Sequence, residues 1–395
     1  GLPAPPAHPH HPRPGPDTSA GNQYPQARHA PPVTLFLAGD VMTGRGIDQL
    51  LPGAGDPEIR EQWCHDARDY LRLAEAAHGP LPAPAPHDWP WGDLLAALTE
   101  LRPAARLVNL ETSVTRAGTF DPAKALHYRM SPDNLPVLTA LAPDVCTLAN
   151  NHVLDLGHPG LLDTLRALAD AGLPTVGAGT GTDHATHPHQ VPLPGGTPLA
   201  VLGCATPDSG VPPAWAAGPA RPGVHLVPEL TPTAAHTLAD RLAPARRAGA
   251  ITAVSVHWGG NWGYTVPRAQ VDFAHRLIDG GVDLVHGHSS HHPRAWEVYR
   301  DRLVLYGCGD LVNDYEGITG HDSYRPDLRA AYLPDLDPDS GRLLHLRVLV
   351  FRSERLRLRL ASHPDRDQVR RALDNTGPPG RGRLVHAGGL LLGPA

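Results

Sequence analysis

Cysteine is scarce in this chain of 395 residues. Cys64, Cys146, Cys204 and Cys308 stand far apart and form no CxxC pair. That spacing leaves no thiolate metal cluster and no disulfide framework of the kind that staples small secreted domains. Cys146, Cys204 and Cys308 lie in apolar runs and read as reduced core residues, which fits a reducing compartment. Long apolar runs are missing too. None reaches the roughly 18 residues of a helical membrane span, and Gly1 to Pro32 lacks the charged-then-apolar pattern of a signal peptide. A cytoplasmic location is the expectation. Positive charge is short as well, with 34 Lys and Arg against 40 Asp and Glu. Such a balance offers no face for displacing counterions from nucleic acid. An anionic substrate would therefore need local positive charge, such as metal ions. Aromatics are few, but histidine is in excess, at 25 residues. Imidazole is the commonest metal ligand and acid–base group near neutral pH.

Residues 1–32, rich in Pro, His, Ala and Gly, have no periodicity and read as a disordered leader. Order is expected from Val33, where the run to Ala38 reads as a buried strand ending at Gly39-Asp40. Residues 45–91 read as a helical insertion plus a loop. Apolar strands then alternate with amphipathic helices. The strands are Arg106–Leu110, Val145–Ala149, Leu199–Cys204, Ile251–Val256, Val282–Val285 and Leu303–Tyr306. The helices are Asp93–Leu101, Leu135–Leu141, Gly160–Ala171 and Val271–Asp279. Alternation of this kind predicts an α/β fold. Leu343–Phe351 and Leu356–Leu360 predict a hairpin on a sheet edge, over residues 343–361. One domain over 33–362 follows, then a short helix and a flexible tail over 363–395.

Metal-competent polar residues come just after one apolar strand after another. They are Asp40, Glu111, Asn151 with His152, His257, His288 with His291, and Asp310. The carboxyl edge of an open α/β sheet is where ligands bind. A fold built only for stability needs no histidines there. Each residue alone has a plainer reading, as a turn, a cap or a buried core histidine. Three imidazoles in Gly287-His288-Ser289-Ser290-His291-His292-Pro293 favour metal over those readings. The set holds carboxylates, an amide and imidazoles but no thiolate. That mix suits one or two divalent ions of Mn, Fe or Zn, with Mg or Ca also compatible. Arg45, Arg129, Asp155 and Asp310 are the candidates for substrate contact.

In order, Gly39-Asp40-Val41, Asn109-Leu110-Glu111, Ala149 to Gly157 (Ala-Asn-Asn-His-Val-Leu-Asp-Leu-Gly), Val256-His257-Trp258-Gly259 and Gly287-His288 resemble the CapA-like (poly-γ-glutamate capsule) family. Gly177-Ala178-Gly179 and Gln270 to His275 fit the same order. The resemblance covers about residues 33–320. It implies a branch of the calcineurin-like metallophosphoesterase fold, with two packed mixed β-sheets flanked by helices in an αββα sandwich. It also implies roles. Asp40 would hold one metal, and Glu111 would bridge two. Asn151, His257 and His288 would hold the second metal, and His291 would complete the first. His152 would be the general acid. The chain departs from the pattern in four places. Met42 stands where the fold's phosphoesterases carry a histidine, and Ser289-Ser290 replaces His-Pro between His288 and His291. Gly260-Asn261 lacks the acidic residue common after His-Trp-Gly. Gly307-Cys308-Gly309-Asp310-Leu311 replaces Ser-Leu-Gly-Asn-Phe.

Three functions fit these residues. The first is a metal-dependent hydrolase with His152 as acid or base, acting on a small anionic or peptide/polyglutamate substrate. The second is a metal-dependent Cα epimerase of a ribosomal, lasso-type peptide, in which two bases exchange the Cα proton. The third is a capsule or polyglutamate assembly factor that binds polymer without turnover.

Overall fold

The strand that begins at Val33 seeds the larger of the two main sheets. In this computed structural model, residues 30–375 and 383–394 are described. The chain divides into two units, 1–30 and 31–395, and both sheets belong to the second. Most of the leader expected over 1–32 lies outside the described residues, as do residues 376–382 of the expected tail.

Among the described residues the larger sheet has ten strands. Its parallel half runs Val33–Val41, Ala105–Leu110, Val145–Thr147 and Thr175–Val176. On the other side of Val33–Val41 the sheet turns antiparallel through Leu328–Leu336, Leu343–Ser353, Leu390–Pro394 and Val385–Ala387. A second sheet of six strands carries Pro198–Ala205, Ile251–His257, Leu284–His288 and Arg302–Leu305 in parallel at its centre. The molecule is therefore a mixed α/β protein with several sheets and helices.

Strand periodicity decides what each face buries. Val33, Leu35 and Leu37 pack with Ala105, Leu107, Ile251, Ala253 and Leu284 in one apolar layer shared by the two sheets. Phe36, Ala38 and Val108 point the other way, into a layer with Leu94, Leu98, Val137, Leu161 and Leu165 from the helices Leu94–Leu101, Pro136–Leu141 and Gly157–Asp170. Val254, Val256 and Val285 face away from the shared layer as well, against the helices Pro232–Arg247 and Arg268–Asp279. Near the carboxyl ends the same face of the same strands turns polar. Leu107 is followed by Asn109, Val145 by Thr147, Ala253 by Ser255 and His257, and Leu284 by His286 and His288, all buried. Two hydrogen bonds tie the sheets together at this level, Thr147 Oγ1 to Ser255 Oγ at 2.9 Å and His286 Nε2 to Ala38 O at 2.7 Å.

The expected strands and helices are present, with ends shifted by a few residues. Some elements are additional. The helix Pro232–Arg247 opens on Thr231, whose side chain accepts from Ala234 N at 3.1 Å. The strand Leu328–Leu336 lies beside the first strand. Leu343–Ser353 does pair with Leu358–Leu360, but it is not at the sheet edge, because Leu390–Pro394 continues the sheet beyond it. In the described part of the expected tail, Val385–Ala387 and Leu390–Pro394 are strands, and Leu384 and Leu391 are buried in the shared layer.

Candidate metal centre

Asp40 is the last residue but one of the first strand and comes after a register shift that follows Leu37. Gly39 makes room for its neighbour: a Cβ there would lie 1.9 Å from Gly309 O. The short strand Asp310–Val312 can thus run parallel alongside, with Asp310 opposite Asp40 and Asp40 N bonded to Gly309 O at 3.0 Å. Asp40 is fully buried. Its Oδ1 accepts from Asn109 Nδ2 at 2.7 Å, and its Oδ2 has no hydrogen-bond partner. Burial, then the charges of Glu111 and Asp310, hold its carboxyl well above the usual range. An orphaned buried oxygen of this kind is rare and calls for an explanation.

Two groups of donor atoms meet at Asp40. In one, Asp40, His257 and His288 bring ligand atoms within 4.8 Å of one another; in the other, Asp40, His291 and Asp310 do so. His257 Nδ1 and His288 Nδ1 face each other at 2.8 Å. Their protons can be traced. Ala38 O only accepts, so His286 Nε2 carries a hydrogen, and its neutral ring leaves Nδ1 to accept from Ser255 Oγ at 2.9 Å. The single hydroxyl hydrogen of Ser255 is then used, so His288 Nε2 donates to Ser255 Oγ at 2.9 Å and His288 Nδ1 is a bare lone pair. His257 Nε2 lies 3.2 Å from Asn151 Oδ1. If the His257 hydrogen is on Nε2, two lone pairs oppose at the Nδ1 pair. If it is on Nδ1, it donates to His288 Nδ1, and the Nε2 lone pair is met by the Asn151 amide turned to present Nδ2. A cation between the imidazoles satisfies the opposed lone pairs of the first arrangement. Burial, then neighbouring imidazoles, depress both His257 and His288 well below the usual histidine value, so a second proton is not the remedy.

The other group is more anionic. His291 Nδ1 lies 3.0 Å from both carboxylate oxygens of Asp310, which also accepts from Asn313 Nδ2 at 2.7 Å. Burial works against a charged His291, but Asp310 and then Glu111 outweigh it and raise its pKa. Burial likewise opposes a charged Asp310, and His291 outweighs it and lowers the pKa. Glu111 hangs from the same Asn109 amide, at 3.1 Å, and burial lifts it to about 7. It lies outside both groups of three, and Asp40 is the carboxylate common to them. Orphaned oxygen, opposed lone pairs and crowded carboxyls together fit a divalent cation.

His152 Nδ1 lies 2.6 Å from Asp155 Oδ2, and its Nε2 lies 3.9 Å from Glu111 Oε1. Burial holds its pKa down, to about 4, against the opposing pull of Asp155. The ring is therefore neutral near pH 7, with its hydrogen on Nδ1 and a lone pair at Nε2. Lys124 reaches Asp155 Oδ1 at 2.5 Å, bonds Asn151 O, and lies 3.1 Å from His152 Nδ1.

Of the residues expected to form the site, Asp40, Glu111, Asn151, His152, His257, His288 and His291 come together, and Asp310 joins them as a donor beside Asp40. The other three proposed substrate contacts are engaged within the protein. The Arg45 guanidinium is buried between Tyr70 and Tyr128 and ion-paired to Asp314 at 2.6 Å and Glu61 at 2.7 Å, leaving no free grip for an anion. Arg129 Nη2 is taken up by the carbonyls of Asp56 and Glu58 at 2.9 and 3.0 Å. Asp155 is held by His152, Lys124 and Tyr128 N, so it orients the imidazole. Two participants were missed, Asn109 and Lys124. Asn109 had a signal, as a polar residue inside an apolar strand.

Comparison with known proteins agrees with the family resemblance. The family model of the bacterial capsule synthesis protein PGA_cap matches residues 34–315. A probable polyglutamine synthesis accessory protein of Mycobacterium tuberculosis is 49% identical over 348 residues, 87% of this chain and 90% of that protein. The PGA biosynthesis protein CapA of Bacillus subtilis is 30% identical over 207 residues, 52% of each chain. The capsule biosynthesis protein CapA of Bacillus anthracis is 26% identical over 282 residues, 71% of this chain and 60% of that one. A Thermus thermophilus crystal structure aligns at 12% identity with a TM-score of 0.37, covering 79% of this chain and 97% of that one, too distant to add to the fold. The chain belongs to the bacterial capsule synthesis protein PGA_cap family.

Proposed function

We propose that this PGA_cap family member is a divalent-metal-dependent hydrolase with a calcineurin-like site, acting on an anionic, glutamate-containing chain. The observation that carries the reading is the buried, unpartnered Asp40 Oδ2 at the meeting point of two donor groups. Asp40, His257, His288 and Asn151 would hold one ion, and Asp40, His291 and Asp310 a second. A divalent ion there would polarise the scissile group's oxygen and lower the pKa of a bound water.

The chain's own residues handle the proton. His152 presents a lone pair at Nε2 and can accept a proton from water. Asp155 stabilises the imidazolium so formed, and the same nitrogen then donates to the leaving group. Lys124 holds Asp155 and the Asn151 backbone in place. Glu111, lifted to about 7 by burial, sits beside His152 Nε2 as a second group able to hold a proton.

The test is metal uptake and turnover on the full chain. Stripped protein reloaded with Mn²⁺, Fe²⁺ or Zn²⁺ is expected to retain one to two equivalents and to shorten poly-γ-glutamate. Asp40→Asn is expected to lose both the metal and the activity. Failure to retain any of the three ions sinks the reading. The word accessory in the mycobacterial relative's description favours a second reading, polymer handling without turnover; metal-loaded protein that binds the polymer and never shortens it would decide for that one.

A further inference from the structure

The loop after the strand Ile251–His257 is fixed along its length by the segment that carries His288 and His291. Ser289 Oγ donates to Gly259 O at 3.0 Å, and Arg294 Nη2 to Gly260 O at 3.0 Å. His291 N donates to Asn261 O at 2.9 Å, and Arg294 Nε to Gly263 O at 2.9 Å. Gly263 N donates to His292 Nε2 at 3.1 Å. Gly263 has a φ of 116°, a conformation that favours glycine. Arg294 is buried. All of this presents Trp262, which is only half-buried, while Tyr264, two residues on, packs on His292 and Tyr324.

The indole borders the metal centre, with its ring centroid 5.4 Å from that of His291. Its cover comes from another part of the chain. His321 stacks on it at 3.9 Å with an interplanar angle of 8°. His321 is exposed, and its imidazole makes no side-chain hydrogen bond among the described residues. Tyr324 lies nearby, 5.3 Å from Trp262 and 4.7 Å from His292. One ring is thus held rigidly and the other leans on it from an exposed turn. A half-exposed stack contributes little to folding, so the five anchors on the loop need another reason. A rigid indole at the mouth of a hydrolytic site presents a flat face for a planar group.

We propose that Trp262 is the platform on which the substrate stacks an amide plane, that the substrate is an extended acidic peptide, and that it takes its place by displacing His321. The proposal rests on the reading of the metal centre as a site for a glutamate-containing chain.

The experiment titrates a short poly-γ-glutamate oligomer into the full chain by calorimetry, in metal-loaded and metal-stripped forms, beside turnover measurements. Trp262→Ala is expected to weaken binding at least tenfold in both forms, with metal content and melting temperature unchanged. Trp262→Phe, which keeps a ring, is expected to lose less. In turnover, Trp262→Ala is expected to raise KM and leave kcat close to the parent's. His321→Ala, which uncovers the indole, is expected to bind a few-fold more tightly. Parental affinity in Trp262→Ala overturns the platform. So does no binding by the parent, or a loss in His321→Ala equal to that in Trp262→Ala, since the ring pair then only clasps two loops. Protein that retains no metal but still loses the oligomer through Trp262→Ala keeps the platform and defeats the hydrolase. Turnover with a parental KM in Trp262→Ala does the reverse.

Discussion

Replacing Glu111 by Gln in metal-stripped protein tests whether the buried carboxyls are arranged for a cation. Burial carries the Glu111 carboxyl from an ordinary value of 4.5 to about 7. Its folded pKa lies above its unfolded one, so between those values the native state binds the more protons. The stability contributed by Glu111 is therefore fully present below pH 4.5 and is lost as pH rises through about 7. The loss is about 3 kcal/mol, at roughly 1.4 kcal/mol for each pH unit between the two values. A folded unit of about 365 residues unfolds with an entropy near 0.8 kcal/mol per degree, so 3 kcal/mol is about 4 °C. Gln keeps the shape and cannot ionise. Glu111→Gln should therefore melt close to the parent at pH 4.5 and about 4 °C above it at pH 8. The difference between the two proteins is the quantity to read. Buried neutral imidazoles, such as His152, His225 and His286 at about 4, make both proteins gain stability over the same range. Scanning calorimetry in chelator measures it. Metal should then reverse the order: an ion at a hundred times its Kd adds about 2.7 kcal/mol to whichever protein binds it, and the parent should gain more. A variant that melts below the stripped parent at pH 8, or an offset that does not change with pH, refutes the idea that Glu111 is strained without a cation.

Two further outcomes follow from the contacts. His152→Ala should keep its metal and its fold while losing turnover by roughly a hundred- to ten-thousand-fold, the range for a lost acid–base group; full activity in folded, metal-loaded variant removes His152 from the chemistry. Arg45→Met should leave Asp314 and Glu61 buried without their cation, costing about 3 to 5 kcal/mol and lowering the melting temperature by about 4 to 6 °C; a smaller change in calorimetry shows that the two acids find other partners.

The sequence made the site legible where it obeyed strand periodicity. Asp40, Glu111, His257 and His288 each follow an apolar strand, and that position alone put them on one edge. It was silent where the partner is remote. Arg45 reads as a free cation until Asp314, 269 residues away, is seen beside it. Lys124 lies in an aperiodic stretch, and nothing local marks it as the partner of Asp155. Leu328–Leu336 hides as a strand because it carries Arg329, Pro334 and Asp335, yet it lies beside the first strand and is buried along its length. Pro232–Arg247 hides as a helix because Pro244 lies inside it, although Thr231-Pro232 is an ordinary helix start.

Asp310 shows why the departures from the family pattern are best read together. Position 42, where the resemblance expects an imidazole, holds a fully buried Met whose backbone N bonds Val312 O at 2.8 Å. The same short strand brings Asp310 beside Asp40, through the gap that Gly39 leaves. On the proposed reading, the donor missing at 42 is supplied from the neighbouring strand, and an anion takes the place of a neutral ring. That exchange gathers Asp40 and Asp310 around one ion position with His291, while the other position keeps the two neutral imidazoles His257 and His288. Oxygen-rich, anionic sites favour harder ions, and imidazole sites favour borderline ones. On that reading the two positions should differ in preference, with Mn²⁺ or Mg²⁺ at the Asp310 side and Fe²⁺ or Zn²⁺ at the His257–His288 side.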